Sequence, residues 1–332
     1  MKALAPMRLA TLTPLLVLCS CAAPEAVQRA APRPAPSPPV HSLLNNVPSN
    51  AVSVLYVNYQ HLRGDWKKVL DAGEPPKQRR EQQGFVESED VDHAVTCALG
   101  ESASPDNLSL YDGRFRDAAM EASRIGSSGD LPRYRDAAMW GTDGQAIAKL
   151  SAKRVGVGTR VGLQASIDVA ADVAEPLTAE TWFTEANERM TLAWPAVRRV
   201  GIELTAKATG PMRQRLESAL PEAKALRWFS ARAGGTDEFD LVALGQAETA
   251  EGAQALVYAL AARAEQWAGR PQARFMGLSG VLQAIHFDHQ GTLAKATLHI
   301  NASEWRSLKQ RFSELLAFLR KRQSQSEGSG RK

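Results

Sequence analysis

Val52-Ser53-Val54-Leu55-Tyr56-Val57-Asn58-Tyr59 alternates with a period of two, the mark of a strand that buries one face. His61-Leu62-Arg63-Gly64-Asp65-Trp66-Lys67-Lys68-Val69-Leu70 then opens a helix. The same pair recurs later in the chain. Val197-Arg198-Arg199-Val200-Gly201-Ile202-Glu203-Leu204 alternates, and Lys207-Ala208-Thr209-Gly210-Pro211-Met212-Arg213-Gln214-Arg215-Leu216 opens a helix with Pro in its first turn. Gly64 and Gly210 fall at the same place in each unit.

Working outward, the next elements repeat as well. Thr96 to Leu99 leads through Pro105-Asp106-Asn107 to Leu108–Phe115, and a helix starts near Asp117. Phe229 to Ala233 leads through Gly234-Gly235-Thr236-Asp237 to Leu241–Ala247, followed by a helix over about Ala250 to Trp267. Each half closes on a further hairpin. Ala138-Met139-Trp140 turns at Asp143-Gly144, and Leu282–Phe287 turns at Asp288 to Gly291. The order predicts an α+β fold of two similar halves, each an antiparallel sheet with helices packed on one face. The halves are assigned to residues 45–190 and 191–322.

A C-terminal helix is predicted from Asn301, with Glu304 completing a capping box. Trp305, Leu308, Phe312, Leu315, Leu316 and Leu319 form its apolar stripe, expected to pack on the second sheet. Arg320-Lys321-Arg322 suits the negative end of that helix. Residues 323–332, rich in Gly and Ser, are expected to be a disordered tail.

The N-terminus carries an address. Lys2 and Arg8 precede an apolar run from Leu9 to Leu18, the layout of a signal peptide over residues 1–20. About ten apolar residues are too few to span a bilayer, which takes about 20. Leu18-Cys19-Ser20-Cys21 closes the run and resembles the lipobox of bacterial lipoproteins, with Cys19 departing from the usual Ala or Ser. That resemblance implies cleavage before Cys21 and lipidation of Cys21 by thioether-linked and amide-linked chains. Ala22 and Ala23, rather than Asp, follow the cysteine, which by the same resemblance implies transport to the outer membrane. Residues 21–44 then read as a Pro- and Ala-rich tether, extended and polyproline-like. The body itself resembles repeated α+β domains of bacterial envelope proteins, and no functional residues come with that likeness.

Composition narrows the partners. The chain has 40 basic and 36 acidic residues. Lys2, Arg8, Arg29, Arg33, Arg331, Lys332, Glu25 and Glu327 lie outside the body, which is left with 34 of each sign. A neutral body argues against nucleic acid as a partner. Lys77-Gln78-Arg79-Arg80-Glu81 reads as a solvated loop. With Cys19 removed and Cys21 lipidated, Cys97 is the remaining thiol, in a strand where it reads as a small core hydrophobe.

No local motif names a reaction. Arg154-Val155-Gly156-Val157-Gly158-Thr159-Arg160-Val161-Gly162 has its third glycine one place late for a dinucleotide loop, and Glu175 precedes Pro176 in a loop. His286, Asp288 and His289 lack a fourth ligand, so no metal and no cofactor are expected. Gly277-Leu278-Ser279-Gly280 is not a nucleophile elbow. The sequence therefore predicts a non-enzymatic, membrane-anchored envelope module with a protein or envelope partner. A lipid or hydrophobic-ligand carrier is the alternative, and a hydrolase without a local motif comes third.

Overall fold

The computed structural model describes residues 41–63, 76–127, 129–195 and 198–311. Cys21, the signal and most of the tether lie outside them. So do residues 64–75, the apolar stripe beyond Arg311, and the tail 323–332.

Twelve strands run in the order β1 Ala51–Asn58, β2 Val91–Leu99, β3 Asp106–Gly113, β4 Asp130–Tyr134, β5 Ala137–Thr142, β6 Gln145–Lys149 and β7 Arg154–Gly158, then β8 Val200–Lys207, β9 Leu226–Gly234, β10 Phe239–Ala247, β11 His286–Gln290 and β12 Leu293–Ile300. The helices are α1 His41–Leu44, α2 Tyr59–Leu62, α3 Pro76–Gln83, α4 Glu87–Asp90, α5 Asp117–Gly126, α6 Arg160–Ala170 and α7 Thr181–Ala193, then α8 Gly210–Ala219, α9 Ala250–Ala268, α10 Pro271–Phe275, α11 Ser279–Gln283 and α12, residues 302–311. The class is α+β.

The strands form one sheet in the order β11-β12-β10-β9-β8-β1-β2-β3-β7-β6-β5-β4, every adjacent pair antiparallel. Reading outward from the middle, β1-β2-β3-β7-β6 and β8-β9-β10-β12-β11 have the same connectivity. The two sheets expected of the two halves are thus joined edge to edge. The join is β1 against β8, from Ser53 opposite Ala206 to Val57 opposite Ile202. Pairing the two equivalent strands covers the inner edge of each half and leaves β4 and β11 as the outer edges.

Helices cover both faces. On one, Leu163 and Ile167 of α6 and Phe183, Ala186 and Met190 of α7 meet Leu108, Leu110, Ala148, Trp228 and Leu244 of the sheet. On the other, Phe85 and Met120 pack with Ala94, Trp140 and Val155, while Leu256 and Val257 of α9 pack with Ala247 and Ala294. Among the described residues, the second half's own helices lie on this second face. Its other face is covered by α7, which the first half supplies.

The packed domain begins before residue 45, because Leu43 and Leu44 are buried with Val47 in the main core. Burying a Leu contributes about 1.5–3 kcal/mol, so α1 belongs to the fold rather than to the tether. The second-half hairpin also starts later than its sequence suggests. Leu282 lies in α11, and β11 begins at His286. At α12, Asn301 Oδ1 accepts from the amides of Ser303 and Glu304, each at 3.1 Å. Glu304 reaches back to the Asn301 side-chain amide at 2.8 Å, a variant of the box in which side chain meets side chain. Trp305 stacks on Phe239 of β10 with ring centroids 4.4 Å apart, placing the first part of the stripe on the second half's side of the one sheet.

Candidate functional site

The densest chemistry lies inside the sheet, on the face covered by α6 and α7. Six side chains form a row across neighbouring strands: Arg154, Asp112, His93, Tyr56, Glu203 and Arg232. Register puts them there, since Arg154 sits opposite Asp112, Asp112 opposite His93, Tyr56 opposite Glu203, and Glu203 opposite Arg232. A strand shows alternate residues to one face, so these positions converge only because five strand pairings keep the same parity.

Each end of the row is a two-pronged ion pair. Arg154 Nε and Nη2 donate to Asp112 at 2.7 and 2.8 Å. Arg154 Nη1 donates to the Asn46 side chain and to the Ser42 carbonyl at 3.4 Å, which ties α1 and the turn after it to the sheet. Arg232 Nε and Nη2 donate to Glu203 at 3.1 and 2.9 Å, and both residues are buried. The Trp194 ring lies 6.0 Å from the Arg232 guanidinium carbon, and its Nε1 donates to the Arg198 carbonyl at 3.0 Å. Charge-assisted forks of this kind are the strong hydrogen bonds of a protein interior.

Between the forks, Tyr56 Oη lies 2.9 Å from His93 Nδ1, the rings stacked at 14°. Burial pushes the Tyr56 phenol up; Glu203 adds to that rise and Arg232 opposes it. The phenol is therefore the donor and His93 Nδ1 the acceptor at neutral pH. Burial also holds His93 below its ordinary value, against Asp92 and Asp112, which favour the imidazolium, while Arg63 disfavours it. A base depressed by folding is destabilising once the unfolded chain takes up a proton that the fold refuses. Stability is thus complete above the ordinary histidine value of 6.5 and declines as pH falls below it toward the folded value. His93→Gln keeps an acceptor without titrating. Its denaturant midpoint is expected to fall less than the parent's between about pH 7 and about pH 5, which bracket an ordinary histidine. Equal slopes for the two chains would refute the assignment.

Both acids of the row already accept from arginines, and the Trp194 ring lies against the Arg232 end of the row. The row runs across the join between the halves, where Tyr56 of β1 stands opposite Glu203 of β8. Sequence reading misses it, because its six members come from segments as far apart as Tyr56 and Arg232.

The residues singled out by sequence fare differently. Cys21 lies outside the described residues. Cys97 is buried in β2, its Sγ 3.5 Å from the Leu108 carbonyl, and burial pushes the thiol up, so it is a core side chain. The glycine run is not a phosphate cradle. β7 is flanked by antiparallel β3 and β6, and a Cβ at Gly158 would stand 2.2 Å from the Asn107 carbonyl oxygen. Gly158 and Gly162 are there to let α6 and β7 close on that carbonyl. His286 and Asp288 share an exposed face of edge strand β11, and among the described residues no three His, Cys, Asp or Glu are grouped to hold a metal. Ser279 Oγ donates to the Ala268 carbonyl at 2.8 Å. Arg80, expected in a solvated loop, lies in α3 and pairs with Glu89 at 2.7 Å and Asp90 at 3.3 Å.

Two open hollows, of about 410 and 530 Å³, lie on the second half. Leu220, Glu222, Arg263 and Gln266 border the first, and Asp237, Arg306 and Lys309 the second. Among the described residues no helix is long and apolar enough to cross a membrane.

No family model and no curated protein matches the chain. Among solved structures, crystal form I of TP0453 is similar at 12% identity and a TM-score of 0.48, over 82% of this chain and 96% of that one. Crystal form III of TP0453 is similar at 11% identity and a TM-score of 0.49, over 86% of this chain and 100% of that one.

Proposed function

We infer that the chain is a lipid-anchored, non-enzymatic module of the bacterial envelope, held to the outer membrane through Cys21 and presenting its domain to a protein or other envelope component. The observation that carries this reading is the lipobox-like Leu18-Cys19-Ser20-Cys21 and the Pro- and Ala-rich run behind it. That run feeds directly into a packed domain that starts at α1. A tether of about 20 residues at ~3.1 Å each would let the domain work up to ~60 Å from the bilayer.

The pairing of the row's acids with its arginines, rather than with an open cleft, supports binding over chemistry. A carrier would hold its ligand in an apolar enclosure of some hundreds of Å³. The two hollows are instead open and bordered by charged residues, so neither favours that alternative. Crosslinking in intact cells, detergent extraction and purification of the tagged chain should recover one envelope component in stoichiometric amount, identified by protein and lipid mass spectrometry. Recovery of a stoichiometric lipid and no protein would instead establish the carrier.

A further inference from the structure

The body is neutral, yet one corner of the second half is not. There α9 ends at Ala268 and α10 follows, pinned by a small cluster of Ala268, Ala273 and Leu282 with Leu278 against it. Because Ala273 faces that cluster, Phe275 projects outward and is 87% exposed. Trp267, at the end of α9, is exposed as well, with the Arg270 guanidinium 4.2 Å above its ring. Cations outnumber acids along the two stretches that meet here, even with Glu222 near Arg263 and Asp237 near Arg306 and Lys309. Arg263, Arg270 and Arg274 stand against Glu265 alone in this stretch. Helix α12 adds Arg306, Lys309 and Arg311 against Glu304. The two stretches touch, since a side chain at Gly277 would collide with the Arg311 guanidinium, and Leu278 packs with Trp305 and Leu308. Among the described residues, no carboxylate is within ion-pair distance of Arg263, Arg270 or Arg274.

We propose that this corner docks on an anionic lipid surface. Trp and Phe favour the headgroup level, where an aromatic ring can be half immersed. Arg beside them gains from the negative surface potential, and a guanidinium stacked on indole is carried to that depth with the ring. A neutral body with this excess of positive charge at one corner would meet the bilayer in a fixed orientation. Cys21 supplies the tether if the chain is a lipoprotein, but the contact itself does not require lipid at that residue.

The test reads Trp267 directly. The full chain is mixed with vesicles of brominated phosphatidylcholine, with or without brominated phosphatidylglycerol, and tryptophan quenching is compared with that of Trp267→Phe. The expected result is Trp267 quenching with phosphatidylglycerol only, lost in high salt because the attraction is screened. In Arg270→Glu/Arg274→Glu, and separately in Phe275→Ser, the lipid concentration for half-quenching should rise at least ~10-fold. These side chains are exposed, and an unchanged melting midpoint verifies that the variants fold. Equal quenching by both lipids, none by either, or variants that match the parent would each overturn the proposal. A chain that fails to acquire lipid at Cys21 still reports at Trp267, so the anchor and the contact fail separately.

Discussion

Cys21→Ser is expected to remove the chain from the outer-membrane fraction of a bacterial host almost completely, leaving it in the soluble periplasmic extract. The size of the effect follows from what else could hold it. Each buried CH₂ contributes about 0.8 kcal/mol, and two or more chains make attachment effectively permanent where one is marginal. Against this the body offers no helix, among its described residues, that could cross a bilayer. The basic corner at α10 and α12 is a reversible contact that a salt wash should release. Two controls make the result sharp. Metabolic labelling with a tritiated fatty acid should mark the parent and not the variant. Uncleaved precursor, if it accumulates, would sediment with the inner membrane and run about twenty residues heavier. A salt-washed variant that still bands with the outer membrane would refute lipidation at Cys21.

The alternation at Val52–Asn58 identifies β1, and the repeated order identifies the second half, because period-two patterning reports directly on strands. What alternation does not report is which face is buried when both are covered. In β8 the apolar set Val200, Ile202 and Leu204 suggests the inner face. The structure buries Val200, Glu203, Thr205 and Ala206, while Ile202 and Leu204 are partly exposed. Glu203 is inside because Arg232 is opposite it on β9, a partner 29 residues away that no local window contains. The same reason sets half-buried Arg154 beside Asp112 and half-buried His93 beside Tyr56. The late start of the β11 hairpin has a different cause. Val281 and Leu282 are β-compatible residues, but they fill the space between α9 and the sheet as a helical turn. The glycines of β7 look like a phosphate loop because close approach of backbone to backbone and of backbone to phosphate require the same residue.

The join between the halves makes the second large effect. Arg232→Met should leave the Glu203 carboxylate buried without its donor, and Glu203→Leu should strand the guanidinium beneath Trp194. The side chains are 7% and 11% exposed, so water cannot replace the lost partner without opening the sheet. Breaking such a pair from one side costs about 3–5 kcal/mol, whereas replacing both members by apolar residues of similar volume is often neutral or stabilising. The expected melts are therefore non-additive. Each single variant should lose on the order of 10 °C, taking about 2–4 °C per kcal/mol for a domain of this size. The double variant Glu203→Leu/Arg232→Met should recover most of that loss, a coupling well above the ~0.5 kcal/mol at which distant sites deviate from additivity. Because β8 and β9 carry the pair beside the β1–β8 join, the single variants should also weaken the docking of one half on the other. Calorimetry would then show two transitions where the parent and the double variant show one. Single variants within about 1 kcal/mol of the parent, the range of exposed pairs, would mean that the row is wetter than its packing and adds nothing to the hold of the β1–β8 ladder and α7.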